Sequence, residues 1–208
     1  NEGREHFENM IRKSFEFIII SAIPMCFLVI ILSKEIILVL AGKDYFPAIP
    51  MLQFLMPSLI FIGLSSVTAW QLLIPLGKEK YTVIGALAGV IVNLGLNSLM
   101  IPAWGGVGAA IASTLAELAV LSVHLKALKE IVSRTFEKRE LLIAILSTFI
   151  TSGVVLVVKY NILVKAAFFA CVVYGSVFVG VYGVSLLLFK EKLANETLER
   201  LKAMVIRR

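Results

Sequence analysis

The chain has 208 residues, 59% of them apolar and only 16% charged, with a formal net charge of +6, a pI near 9.4 and a mean hydropathy of +0.94. Soluble domains run nearer half apolar and about a quarter charged, so this composition excludes a soluble globular protein. The positive balance does not indicate nucleic acid: the basic residues flank long apolar runs and form no patch interleaved with aromatics.

Six apolar runs mark candidate spans, at residues 14–32, 51–76, 81–101, 106–125, 141–158 and 166–189. Each approaches the ~20 residues a helix needs to cross ~30 Å of hydrocarbon. No barrel-type alternation is present, which leaves helices as the spanning structure. The fold class is therefore an all-α integral membrane protein with six transmembrane helices. The organisation reads as a juxtamembrane segment (1–13), four helices (14–127), a loop (128–140), two additional helices (141–189) and a tail (190–208). The chain opens on Asn1 in a charged segment unlike a signal peptide, and reads as the interior of a longer protein.

Orientation follows from lysine and arginine. The opening segment (Arg4, Arg12, Lys13), the turn at Lys78 and Lys80, the loop after the fourth span (Lys126 to Arg139) and the tail (Lys190 to Arg208) hold sixteen of the 20 basic residues. The alternate connections hold only Lys34, Lys43, Lys159 and Lys165. Both ends of this chain are expected to face the cytoplasm.

In chain order, Pro24 is expected to hinge the first span, because proline removes a rung of the hydrogen-bond ladder. Glu16 is expected to be solvated at the mouth of that span. Residues 35–40 read as an extension of the first helix or an interfacial turn, stopped by Gly42, with Tyr45 and Phe46 at headgroup level. The second span carries hinge prolines Pro57 and Pro75 and the polar residues Gln53, Ser65, Ser66, Thr68 and Gln71. Its hydroxyls can bond their own backbone. Gln71, four residues before Pro75, either satisfies backbone freed by that proline or lines a cavity.

The third and fourth spans are the most informative. Gly85, Gly89, Asn93 and Asn97 recur every fourth residue, as do Ala109, Ser113 and Glu117, giving each helix a small and polar face. Such faces suit contact with protein or water rather than lipid. Gly85 and Gly89 read as a helix-packing notch. Between the spans, Pro102 is expected to end one helix, Trp104 to anchor at the interface, and Gly105 and Gly106 to reverse the chain. Glu117 is the one charged residue deep in a span, a functional-site candidate by default. Its two readings are a hydrogen bond to Asn93 or Asn97 across the pair, or ion coupling and substrate contact.

The fifth and sixth spans look more purely apolar, with Gly153, Ser176, Gly180 and Gly183 offering small packing contacts. In the tail, Leu193, Leu198, Leu201 and Val205 at near-helical spacing suit either a helix on an anionic leaflet or a solvated one. Cys26 and Cys171 lie alone inside apolar runs, and His6 and His124 are far apart, so no metal site or cofactor is expected. His124 is placed one helical face and two turns from Glu117. No paired carboxylates or nucleophile–base set appears, so an enzyme is not expected.

Two stretches resemble polysaccharide-biosynthesis flippases, the repeat-unit exporters of O-antigen and capsule within the multidrug/oligosaccharidyl-lipid/polysaccharide exporter superfamily. They are LSKEIILVLAGKDYFPAIPMLQFLMPSLIFIGLSSVTAWQLLIPLGKEK and VNLGLNSLMIPAWGGVGAAIASTLAE. The matching features are a Gly-x-x-Tyr segment after an apolar helix, a Leu-Ile-Pro-Leu-Gly-Lys hinge, Asn-x-x-x-Asn, an Ile-Pro turn, Gly-Ala-Ala and a following Glu, over Phe7 to Leu125. The resemblance implies the C-terminal part of a two-lobe exporter of twelve to fourteen helices, with these six spans as helices nine to fourteen and an N-terminal lobe missing. It implies a flippase moving an undecaprenyl-pyrophosphate-linked oligosaccharide from the inner to the outer leaflet by alternating access, in a bacterial or archaeal plasma membrane. Its partners would be the lipid-linked oligosaccharide and membrane lipids, with Glu117, Asn93, Asn97, Ser113 and Gln71 as pathway candidates. Alternatives are a multidrug or toxin exporter of the same superfamily, or a non-transporting membrane scaffold. No Lys or Arg lies deep in these spans, so the cationic partners of a pyrophosphate are expected in the missing lobe, with Lys78, Lys80 or Arg12 only at the mouth.

Overall fold

The computed structural model describes residues 2–192 together with 194, 195 and 199, with side chains from residue 5. Among these residues the helices are α1 (Glu2–Ile31), α2 (Ser33–Leu40), α3 (Ala48–Leu55), α4 (Ser58–Val67), α5 (Lys80–Ala127), α6 (Lys129–Thr135), α7 (Lys138–Asn161) and α8 (Ala167–Leu188), with a 3-10 turn at Lys43–Tyr45 and a π-helical segment at Thr68–Leu73. No strand occurs among them. The leucine-spaced tail positions Leu193, Leu198, Leu201 and Val205 lie outside the described residues.

Five helical stretches are long and apolar enough to cross a membrane: Glu5–Ile31, Ala48–Leu73, Lys80–Ala127, Lys138–Asn161 and Ala167–Leu188. A straight helix the length of α5 would reach ~70 Å, twice the hydrocarbon thickness. It folds back instead. At Gly105, φ 55° and ψ −133° break the helix, a conformation open to glycine and strained for other residues. The two arms, 80–104 and 106–127, then run antiparallel, with Gly85 facing His124, Gly89 facing Val120 and Gly108 facing Met100. Counted this way, the described residues hold six stretches of spanning length. One expectation needs correcting: the helix continues through Pro102 to Trp104, and the reversal falls on Gly105. A proline removes one rung of the ladder; the positive φ turns the chain.

The other prolines act unequally. α1 stays helical through Pro24. Pro57 separates α3 from α4, although its φ of −58° and ψ of −23° remain right-handed. Ahead of Pro75 the ladder slips by one residue, with Ile74 N–H donating to Ala69 O at 3.1 Å. A proline ring collides with the carbonyl four residues back, and a widened π turn is a usual response to such disruption. α2 leaves α1 at Leu32 (φ −96°, ψ 8°) as a separate short helix, and the chain after it turns at Gly42, φ 89°.

α1 is the central element. On one side it packs against α4, and the α5 hairpin lies beyond, against α3 and α4; on the other it packs against α7 and α8. Ile11, Phe15, Leu72, Leu73 and Leu128 form one buried cluster at the basic end. Gln53 on α3 ties the α1–α2 corner, donating to Ser33 Oγ at 2.8 Å and Ile30 O at 3.3 Å.

The α7–α8 pair departs from expectation. A Cβ on Gly153, Gly180 or Gly183 would meet nothing within 4 Å, and Ser176 is exposed. The packing stripe is instead Ala170, Tyr174, Phe178, Tyr182 and Leu186, four residues apart and all buried, as helical geometry requires of one face. Tyr182 donates to Ile20 O at 2.9 Å. α7 is not simply apolar either: Glu140, Ser147, Thr148, Thr151 and Ser152 are buried along one face, which turns them toward the protein interior and away from lipid.

Ion pairs close both ends of this three-helix unit. Lys159 on α7 meets Glu35 on α2 at 2.9 Å. At the basic end Glu137 receives Arg12 at 3.3 Å and Lys192 at 2.5 Å. The hydrogen bond from Lys192, with its charge and that of Arg12, holds the Glu137 carboxyl below its ordinary pKa despite partial desolvation. Glu16 is not solvated as expected. It is 4% exposed, because the start of α7 folds over it, and Arg12 Nε stands 4.0 Å from its carboxylate.

Candidate functional site

The site is the inner side of the α5 hairpin. Toward the basic end the two arms touch: a Cβ on Gly85 would stand 2.8 Å from His124 Nε2, and one on Gly89 would stand 2.7 Å from Val120 Cγ2. Glycine at these positions permits the close approach that small residues give membrane helices. Toward Gly105 the arms meet again, where a Cβ on Gly108 would lie 2.3 Å from Met100 O. Between the contacts they leave an open groove of about 530 Å³, walled by Gly89, Val90, Asn93, Ser113, Ala116 and Glu117.

A polar chain runs along this groove. Asn97 Nδ2 donates to Asn93 Oδ1 at 2.8 Å, and Asn93 Nδ2 reaches Ser113 Oγ at 3.4 Å on the opposite arm. Asn97 Oδ1 is buried without a partner among the described residues. Ser113 also borders a second, more apolar cavity of about 390 Å³ against α2 and α3, lined by Ile37, Met51, Leu52 and Ala109. Next to it, Thr114 Oγ1 donates to Phe54 O at 2.8 Å, fixing the second arm of the hairpin to α3.

Glu117, half-buried, lies on the groove wall one turn from Ser113. Among the described residues it makes no hydrogen bond to Asn93 or Asn97, which bond each other and Ser113 instead. Four of the positions singled out in the sequence thus converge: Asn93, Asn97, Ser113 and Glu117. Gln71 does not join them. It is exposed on the π segment, whose Leu72 and Leu73 pack with Leu128 at the basic end, and among the described residues its side chain makes no bond to the backbone freed by Pro75.

His124 belongs to the same face of the hairpin as Glu117. Seven residues are almost two full turns, so it shares the face of Glu117 rather than lying one face away. It is 3% exposed, and its Nδ1 lies 3.0 Å from Thr68 Oγ1, which also bonds Leu64 O and Ser65 O. A hydroxyl has one proton. That proton goes to one of the two carbonyls or to Nδ1, and which one it takes sets the imidazole tautomer; Nε2 faces the Gly85 notch. The face-sharing of Ser113, Glu117 and His124 was legible from spacing; the π turn that brings Thr68 to His124 was not.

No protein-family model matches the chain, and no curated protein matches it significantly. Among solved structures, the inward closed conformation of lipid II flippase MurJ is similar, with a TM-score of 0.77 and 19% sequence identity over 94% of this chain. The likeness shows a shared all-helical membrane fold over nearly the whole of this chain. It spans 41% of the length of the MurJ structure, so the likeness covers less than half of that protein. The hairpin, the π turn and the α7–α8 pair all lie within a chain that is matched almost end to end.

Proposed function

We propose that this chain is the C-terminal part of a flippase carrying an undecaprenyl-pyrophosphate-linked oligosaccharide from the inner to the outer leaflet of a prokaryotic plasma membrane. Both of its ends would face the cytoplasm. The α5 groove forms part of the substrate or ion path, and alternating access would open it against a second lobe. One observation carries the reading: in a fold like that of a membrane flippase, a carboxylate within an apolar helix, Glu117, stands with Asn93 and Ser113 on the wall of an open, largely apolar groove. Asn93, Asn97 and Ser113 line or brace that groove and would bond the migrating group in place of water. Gln71 has no part in the groove and is proposed only as a surface toward the other lobe.

The test is restored polymer export in a flippase-deficient strain by the full-length protein, with Glu117→Gln beside it. If Glu117 carries a coupling proton, the variant loses at least about tenfold in rate, one decade for each 1.36 kcal/mol of lost stabilisation, and its pH dependence flattens. Transport with rate and pH dependence unchanged removes that role. A second reading takes lipid II as the cargo, because the similar structure is named for it. Rescue of a strain lacking lipid II transport, without rescue of polymer export, would favour it.

A further inference from the structure

Outside the groove, the basic end holds a cavity of about 370 Å³ between the turn before α5 and the α5–α6 corner, lined by Lys78, Lys126, Leu128, Lys129, Glu130 and Ile131. Its charges are set by local geometry. Leu128, at φ −111° and ψ 14°, breaks the helix between α5 and α6, which places Lys126 and Lys129 on either side of the corner. Lys78 reaches over from the preceding turn and donates to Ala127 O at 3.3 Å. The floor is apolar: Leu128 is 1% exposed and belongs to the cluster of Ile11, Phe15, Leu72 and Leu73.

The other basic groups that meet carboxylates at this end are compensated, Arg12 and Lys192 by Glu137 and Arg139 by Glu140. Lys78, Lys126 and Lys129 have no ion-pair partner among the described residues, and Glu130 is the one carboxylate on the wall. Three lysines against one glutamate leave a cationic concavity with an apolar base. Beside Lys78, Ile74 and Leu76 are 41% and 40% exposed, so apolar surface continues outward from the charged rim. An ammonium trio over an apolar floor at the end of membrane helices recognises a phosphate headgroup with acyl chains attached. Free phosphate would make no use of the apolar part.

We propose that this cavity binds the headgroup of an anionic glycerophospholipid. The site rests on the basic end lying at a membrane surface and is independent of the cargo proposed above. The phosphate chemistry is shared with a polyprenyl pyrophosphate, so both are offered in the test. The intact protein is titrated by native mass spectrometry with dioleoylphosphatidylglycerol, dioleoylphosphatidylcholine or undecaprenyl pyrophosphate, as wild type, Lys126→Gln/Lys129→Gln, Lys126→Arg/Lys129→Arg, and Lys34→Gln/Lys43→Gln at the opposite end. Both lysines at the cavity corner are exposed, so their replacement disturbs no packing.

The expected result is one retained phosphatidylglycerol, preferred over phosphatidylcholine. Its affinity falls about 25-fold in the glutamine pair, about fivefold for each lysine, recovers in the arginine pair, and is unchanged in the opposite-end pair. Equal retention by the glutamine pair, equal retention of phosphatidylcholine, or an equal loss in the opposite-end pair overturns the site. Undecaprenyl pyrophosphate bound in preference to phosphatidylglycerol and lost with the same lysines overturns the choice of lipid. None of these outcomes depends on transport, so failure here and failure of the flippase reading are separate results.

Discussion

Along the α5 hairpin the closest approaches are made by glycines, with Gly108 against the Met100 carbonyl, Gly85 against His124 and Gly89 against Val120. Across α1, α7 and α8 they are between rings and long side chains: Phe27 on α1 and Phe149 on α7 lie edge to face at 5.3 Å, and Tyr182 on α8 reaches Ile20 O on α1. The ends of the second region are tied by ion pairs, whereas the hairpin is held by a π turn and a Thr68–His124 bond. Small residues let two arms approach and still leave a groove where side chains stop short; ring packing fills the interface. A path for a polar cargo or ion fits the first region, and a fixed support the second.

The sharpest way to break this contrast is to exchange alanine for glycine in each region. At Gly108 a methyl would collide with backbone, Met100 O at 2.3 Å and its carbonyl carbon at 2.5 Å, so the arms themselves must separate. Gly108→Ala is expected to cost about 3 kcal/mol, the upper part of the overpacking range, read by thermal unfolding in detergent. Gly180→Ala, with nothing within 4 Å, is expected to be neutral or to stabilise by up to about 1 kcal/mol through helix propensity. Equal effects at the two sites would mean the hairpin is not closed by backbone approach.

Phe178→Ala tests the support region, since Phe178 is 2% exposed at the centre of the α8 stripe. In soluble cores this truncation costs about 3–5 kcal/mol. Lipid tails are as apolar as the protein interior, so only the packing part is lost in a membrane. About 2 kcal/mol is expected by the same measurement, with transport reduced only in step with folded protein. A transport loss well beyond the folded fraction would move the path into α7–α8.

The six stretches of spanning length and the polar faces of α5 were legible in the sequence because membrane spans need long apolar runs and because a fourfold spacing fixes a helical face. What sequence could not supply is which neighbour each face meets. Ser147, Thr151 and Ser152 look unremarkable in an apolar run, yet they are buried in the protein interior. Gly180 and Gly183 look like packing residues, yet ring positions one or two residues away, Phe178 and Tyr182, are the buried ones. Glu16 looked exposed because its cover, the start of α7, lies 121 or more residues further along the chain. Asn93, Asn97, Ser113 and Glu117 were found together because both halves of their site fall within one helical hairpin, whose turn was readable.

The smallest expected effect concerns the basic mouth of the support region. Glu137 is ionised more readily in the folded chain than in the unfolded one, chiefly through its hydrogen bond from Lys192 and then through nearby positive charge. A folded pKa below the unfolded one contributes stability that is complete above the unfolded value, about 4.3 for glutamate, and is lost as pH falls through the folded value. Glu137 is 27% exposed and Lys192 46%, so screening holds the contribution below about 1 kcal/mol. Unfolding followed from pH 7 to pH 3 should therefore show a small acid-side loss in the wild type that is reduced in Glu137→Gln, while Lys34→Gln at the opposite end leaves it unchanged. The hairpin has no such latch, so Cys labels placed on its two arms should report the same spacing across that range. An acid-dependent separation of the arms, with the support region unmoved, would reverse the assignment of which half is the rigid one.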